Sequence, residues 1–537
     1  MQTVRRVYLY LVSAVSLAML AWGVATLLQS LLFLVSQTAA AVVREQVARA
    51  VGVTLVALIV WTVHWTLATR LAARDPSERA AALRRLFLYG TLALAMIALA
   101  YNASHLVRAL AAALASLPVP GAPHVFELLP ALGVAAVIWG YHWTIAARDR
   151  EAVGETAAAA TLRRWYSYGT AFWALLLLLT ASATLVRFFF ALVVGSPAVG
   201  GQADVIDAVG PALVGLLIWA GQWSWTSAGP IGDDDRRSVL RTVYLLAVIG
   251  VAVVMTLVQA GQVLFVLISR LLGVAAPGGL PGSLPQLLAG PFAVALVYGT
   301  AWVFHLRALR HTVAGAEDSP RRRGVRRLYR YLVALVALGL LAVGLAGMLW
   351  TIGDLLTSAT LRESGTWREQ LSFFVTLGIV AFPVWLVVWR PRVDPSEASS
   401  LSRRLYLYLG LIGAVLAALI AGAAAVYQFA ALALAVRLPV ETLPDLVRAL
   451  AVLSVSAGVA GYQWRILRID AERAPRAPQP VVQQARLCLI APDGQPVREL
   501  TGDLATLRRL FDRVAAETAR SGSAPPGEPS PLADASP

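Results

Sequence analysis

An arginine pair followed by alternating aromatic residues recurs along this chain and limits its fold more than any other feature. It is seen as Arg5-Arg6 with Tyr8 and Tyr10, Arg84-Arg85 with Phe87 and Tyr89, and Arg163-Arg164 with Tyr166 and Tyr168. A reduced copy, Arg241 with Tyr244, precedes Arg326-Arg327 with Tyr329 and Tyr331, then Arg403-Arg404 with Tyr406 and Tyr408. The first arginines of successive copies stand 79, 79, 78, 85 and 77 residues apart. A twin-arginine export signal would occur once, so the N-terminal copy reads as a retained helix and the chain as six tandem repeats.

A second aromatic marker follows each first one by roughly 60 residues. The series is WTVHW (Trp61 to Trp65), WGYHW (Trp139 to Trp143), WAGQW (Trp219 to Trp223), YGTAW (Tyr298 to Trp302), WLVVW (Trp385 to Trp389) and AGYQW (Ala460 to Trp464). Two apolar stretches lie between the markers of each repeat, each long enough for the about 20 residues that a bilayer core requires. With 58% hydrophobic and 14% charged residues and a mean hydropathy of +0.69, the chain carries more apolar surface than one soluble core hides. The predicted fold is therefore an all-α polytopic membrane protein of about twelve transmembrane helices, arranged as six tandem parallel helical hairpins. Their boundaries fall at 1–80, 81–159, 160–237, 238–320, 321–400 and 401–474.

All 45 basic residues are arginine, and 36 of them fall in the N-terminus, the linkers between hairpins and the C-terminal segment. The positive-inside rule places these segments, and both termini, on the cytoplasmic side. The net charge of +15 thus belongs to one membrane face, whose expected partner is anionic lipid rather than nucleic acid. The linkers read as solvated turns, including GDDDRR (Gly232 to Arg237), whose acids resemble a helix cap more than a metal site. Cys488 is the only cysteine, which excludes an intrachain disulfide and a Cys-based metal centre.

Tyr8, Tyr89, Tyr166, Tyr244, Tyr329 and Tyr406 begin the first helices, and Trp65, Trp143, Trp223, Trp302, Trp389 and Trp464 end the second ones, at one headgroup level. They read as an interfacial aromatic belt, with tryptophans at i and i+4 able to stack between hairpins. His64 and His142 occupy equivalent positions, but the later copies carry Gln222, Ala301, Val388 and Gln463 there, which argues against a haem or metal. Asn102, His105, Gln259 and Gln262 are candidate intramembrane polar residues whose expected role is bonding between helices. Asp354 is the acid set clearly inside an apolar run. No catalytic residue, cofactor or metal site is predicted, and units of even span number give parallel repeats rather than the inverted repeats of many transporters.

After Trp464 the composition changes. PRAPQP (Pro475 to Pro480) reads as an extended linker, and residues 481–520 as two short strands around Pro492-Asp493-Gly494 followed by an amphipathic helix capped by Asp503. This β-β-α element, 475–520, is expected to be cytoplasmic and to meet a protein partner, with 521–537 disordered by composition. The recurring RRLYLYL start on a hairpin of about 80 residues resembles the bacterial membrane family filed as domain of unknown function 5671, in tandem copies. That resemblance implies membrane residence in a bacterial cell, expected to be the inner membrane, and, the family having no assigned activity, it supplies no catalytic residues. The expected function is a non-enzymatic scaffold or sensor, the alternative a channel or transporter.

Overall fold

The computed structural model describes residues 2–35, 40–116, 125–195, 201–228, 234–314, 320–391, 393–434, 439–473, 484–490, 496–503 and 506–513. The predicted linker at 475–480, the Pro492–Gly494 turn and the 521–537 tail lie outside them. Two compact units result, Met1–Ile469 and Asp470–Pro537.

The first unit is helical. Its long helices are α1 (Gln2–Val35), α2 (Ala40–Arg74), α3 (Ala82–Leu114), α4 (Val125–Val153), α5 (Ala157–Val193) and α6 (Gln202–Trp225). They continue as α7 (Val239–Leu271), α8 (Leu284–Ala314), α9 (Pro320–Thr357), α10 (Trp367–Val388), α11 (Leu401–Ala433) and α12 (Pro439–Arg473). Among the described residues twelve helices are long and apolar enough to cross a membrane, so this is an integral membrane protein by architecture. In the Ala- and Leu-rich runs every backbone N–H and C=O closes within the helix, which hydrocarbon demands. Starts are fixed by local chemistry: Thr156 accepts from the N–H of Ala159, and Ser238 from that of Arg241. Pro130, Pro211 and Pro291 lie near the start of their helices, and α10 runs through Pro383 to Val388.

Consecutive helices pack in pairs: α1 with α2, α3 with α4, α5 with α6, α7 with α8, and α9 with α10. In the sixth pair Gly410 and Gly422 of α11 approach Gln463 and Leu453 of α12. Between pairs one rule holds. Each odd-numbered helix packs on the next odd-numbered one, α1-α3-α5-α7-α9-α11 in order, and α4, α6, α8 and α10 also lie against α1, α3, α5 and α7. At the last junction Asp354 of α9 meets Arg448 of α12. Close approach sets this geometry: a methyl group at Gly210 of α6 would overlap the carbonyl of Ser104 on α3.

Exposure of the motif aromatics differs along the row. Tyr8 in the first pair is 56% exposed, and Tyr408 and Trp464 in the last are 53% and 56% exposed, whereas Tyr89, Tyr166 and Tyr244 within the row are 4% exposed.

In the second unit, β1 (Gln484–Ile490) pairs antiparallel with β2 (Pro496–Asp503), Cys488 opposite Glu499, and residues 506–513 are helical.

Candidate functional site

Several arginines of the repeated motif are buried rather than exposed. Arg85 and Arg163 are 1% exposed and Arg403 is fully buried. A buried guanidinium calls for hydrogen bonds or a counter-charge; Arg85 donates to the carbonyl of Ala146 in α4, Arg403 to those of Arg390 and Pro391, and Arg163 is held by linker acids. Arg5 and Arg6 clamp Glu78 at 2.6 and 2.8 Å. Arg163 forms a fork with both carboxylate oxygens of Asp235, at 2.8 and 2.9 Å, and Arg164 adds a third bond at 2.7 Å. Arg330 and the Tyr331 hydroxyl meet Glu397 at 3.1 and 2.8 Å. The linker prediction therefore needs correction: Asp235 in the GDDDRR segment is fully buried, because two guanidinium groups replace its water.

These three acids share one register. Glu78, Asp235 and Glu397 each stand six positions ahead of the next motif arginine (Arg84, Arg241, Arg403). The same three arginines lie over tryptophan rings, Arg84 on Trp65 at 5.5 Å, Arg241 on Trp223 at 5.1 Å and Arg403 on Trp389 at 4.8 Å. Arg84 also pairs with buried Asp149 at 2.6 Å. The first-to-second, third-to-fourth and fifth-to-sixth junctions thus share this chemistry, and three buried apolar clusters follow the same grouping. Helix packing repeats with every pair; the polar pattern repeats with every second pair.

Outside the spans, Glu78 and Asp75 sit in the short turn between α2 and α3. The guanidinium of Arg6, helped by Arg5, holds the Glu78 carboxyl below the usual glutamate range against the opposing effect of burial. The side chain and backbone N–H of Ser77 do the same for Asp75.

An aromatic layer crosses the row next to the arginines. Tyr89 stacks on Tyr166 at 5.9 Å, Tyr168 on Tyr244 at 5.4 Å, and Tyr331 packs on Tyr406 at 5.8 Å, while Tyr10 meets Phe87 at 5.6 Å. Indole N–H groups bond across it: Trp139 to the Tyr166 hydroxyl (3.0 Å), Trp219 to Tyr244 (3.2 Å) and Trp385 to Tyr406 (3.2 Å). Trp65 donates to Tyr141 at 2.7 Å and Trp389 to Tyr462 at 2.6 Å. Trp139 and Trp143, Trp219 and Trp223, and Trp385 and Trp389 stack within their helices at 5.3, 6.1 and 6.4 Å. Tyr329 lies against Gly250, Trp302 is half-buried beside the cluster around Tyr244, and Trp464 points outward.

The remaining polar candidates are dispersed. His64 Nε2 lies 3.0 Å from the Tyr8 hydroxyl, whereas His142 packs among Trp65, Phe87 and Tyr141. Asn102 donates to the carbonyl of Ala98, and His105 meets the edge of Tyr101 at 4.4 Å. Gln259 is half-buried and Gln262 exposed. Among the described residues no group of three or more His, Cys, Asp or Glu converges as a metal site would require.

His305 escapes the sequence reading. It is 1% exposed and is enclosed by Trp219, Trp223, Tyr244 and Phe304, one helical turn beyond Ala301, which stands at the His142 position of the fourth marker. The second such residue is Arg448. It binds the fully buried Asp354 at 2.8 Å, lies over Trp350 at 5.3 Å and pairs with Asp445 at 3.2 Å. Trp350 donates to the same Asp354 at 2.7 Å. This cluster borders a cleft of about 490 Å³ between α9, α11 and α12, lined also by Ala421, Gln428 and Val452.

Residues 6–132, 196–300 and 327–458 match the family described as Domain of unknown function (DUF5671). No curated protein sequence and no solved structure matches the chain. The three matching segments cover more than half of the sequence, so the chain belongs to the DUF5671 family, in repeated copies.

Proposed function

We propose that this family member is a non-enzymatic membrane scaffold or sensor, built from six hairpins planted the same way up. The observation that carries the reading is the use made of the repeated polar residues. Arginines, tyrosines and tryptophans that could line a passage bond instead to the following linker or to the neighbouring pair, as Arg163 does to Asp235 and Trp385 to Tyr406. Such groups specify which helices meet.

The same reading puts both termini on the cytoplasmic side of a bacterial inner membrane, its arginine-rich face toward anionic lipid, and assigns residues 481–520 to a protein partner. Site-specific crosslinking through Phe511, which is exposed, tests the partner role. The scaffold reading expects one discrete adduct in cells, lost from a chain ending at residue 480 that still inserts and stays folded. A crosslinking pattern unchanged by that truncation contradicts it.

A channel or transporter is the second reading, and one observation favours it. Asp354 is fully buried in an apolar helix, and its partner Arg448 is 40% exposed on a cleft. Intramembrane ion pairs of this kind often mark solute pathways. Solute flux in reconstituted vesicles that is lost in Asp354→Asn would support this reading over the first.

A further inference from the structure

One junction of the aromatic layer lacks its central hydroxyl. Where Tyr166, Tyr244 and Tyr406 accept from the tryptophan of the preceding pair, the first-to-second junction carries Phe87. The corresponding indole, Trp61, is left with a buried Nε1 that has no hydrogen-bond partner. The side chain on the far side of this position is His142, and its Nε2 is likewise buried and unpartnered. At the second-to-third and fifth-to-sixth junctions Gln222 and Gln463 hold that place and approach the Tyr166 and Tyr406 hydroxyls, and at the third-to-fourth His305 holds it beside Tyr244, its Nε2 also without a partner. Trp61 and His142 are the two ends of a bridge without its middle.

The polarity of the two ends is fixed. An indole N–H only donates. His142 Nδ1 lies 2.8 Å from the carbonyl of Ile138, which only accepts, so Nδ1 carries the hydrogen and Nε2 is an acceptor. A single hydroxyl satisfies both, accepting from Trp61 and donating to His142, and a buried donor and acceptor left unmade are costly.

Both residues line one cavity of about 660 Å³ between α1 and α4, with Leu17, Val24, Leu28 and Val137 along its walls. This size lies within the roughly 300–1,000 Å³ of small-molecule sites. From Leu17 to Leu28 the cavity follows α1 for about 16 Å at 1.5 Å per residue. No charged residue lines it. An ionised headgroup would meet no counter-charge there and is excluded by its desolvation cost.

We propose that this cavity binds an uncharged lipid alcohol, its hydroxyl bridging Trp61 and His142 and its hydrocarbon tail lying between α1 and α4. The inference is independent of the scaffold reading, because it rests on the cavity and its two orphaned nitrogens. The test is binding of dioleoylglycerol and of geranylgeraniol to the purified full-length protein in nanodiscs, followed by native mass spectrometry. Binding of either alcohol supports the proposal and tells a glycerolipid from a prenol, and dioleoylphosphatidylglycerol should not compete.

Phe87→Tyr supplies the missing hydroxyl and should weaken binding about tenfold or more without loss of thermal stability. Trp61→Phe and His142→Phe should each weaken it about fivefold. Tyr166→Phe, at a closed junction, should leave binding unchanged. Failure of both alcohols to bind, equal competition by phosphatidylglycerol, or wild-type affinity in both Phe87→Tyr and Trp61→Phe would overturn the proposal.

Discussion

Asp235 and Asp354 are both fully buried carboxylates held by arginine, yet they sit in different surroundings. Asp235 lies in a linker and receives Arg163, 1% exposed, and Arg164, 15% exposed, so the cluster is sealed. Asp354 lies inside α9, and Arg448 reaches it from a cleft with 40% of its side chain exposed. The difference teaches that burial of a charge does not by itself mark function. A sealed pair fixes which helices meet, whereas an open pair can exchange its partner for water or solute.

Mutation separates the two. Asp235→Ala leaves two guanidinium groups without their carboxylate and should cost about 3–5 kcal/mol, measured as a fall in thermal stability in detergent. Arg448→Ala should cost less, about 1–3 kcal/mol, because the exposed half of this pair is already screened by solvent. Equal losses would remove the distinction between sealed and open carboxylates.

Acid titration sharpens it further. Glu78 is held below the ordinary glutamate value, so its contribution is present above about pH 4.3. It is lost as the pH falls through the lowered value, since protonation breaks the bonds from Arg5 and Arg6. Glu78→Gln should be less stable than wild type at neutral pH, and the gap should narrow below pH 4. A gap independent of pH would show that this carboxylate does not titrate against its arginines. The smallest effect belongs to the aromatic layer: Tyr406→Phe removes the acceptor for Trp385 and should cost about 1 kcal/mol, read from the same melting curves.

Much of this architecture is legible in the amino-acid order. Apolar runs longer than a bilayer core give the spans, and the spacing of Arg5, Arg84 and Arg163 gives the repeat. The fate of the arginines is not legible by composition, because an acid beside basic residues in a linker looks like a solvated turn. A signal was nevertheless there: the tetrapeptide Asp-Pro-Ser-Glu occurs at 75–78 and again at 394–397, and Asp235 falls in the register of its glutamate. Arg448 and Asp354 are 94 residues apart and meet only through packing of α9 on α12, which no local pattern reports. His305 was hidden because it lies one turn beyond Ala301, which stands at the His142 position of the fourth marker.

The central claim is that the arginine pairs Arg5-Arg6 and Arg163-Arg164 are bound to the linker carboxylates Glu78 and Asp235 rather than to water. A double-mutant cycle between Arg163→Met and Asp235→Leu tests it most directly. The account predicts that the double variant is more stable than the sum of the single losses implies, by about 1–3 kcal/mol. Losses that simply add would contradict it, because two side chains that do not meet cannot compensate for each other.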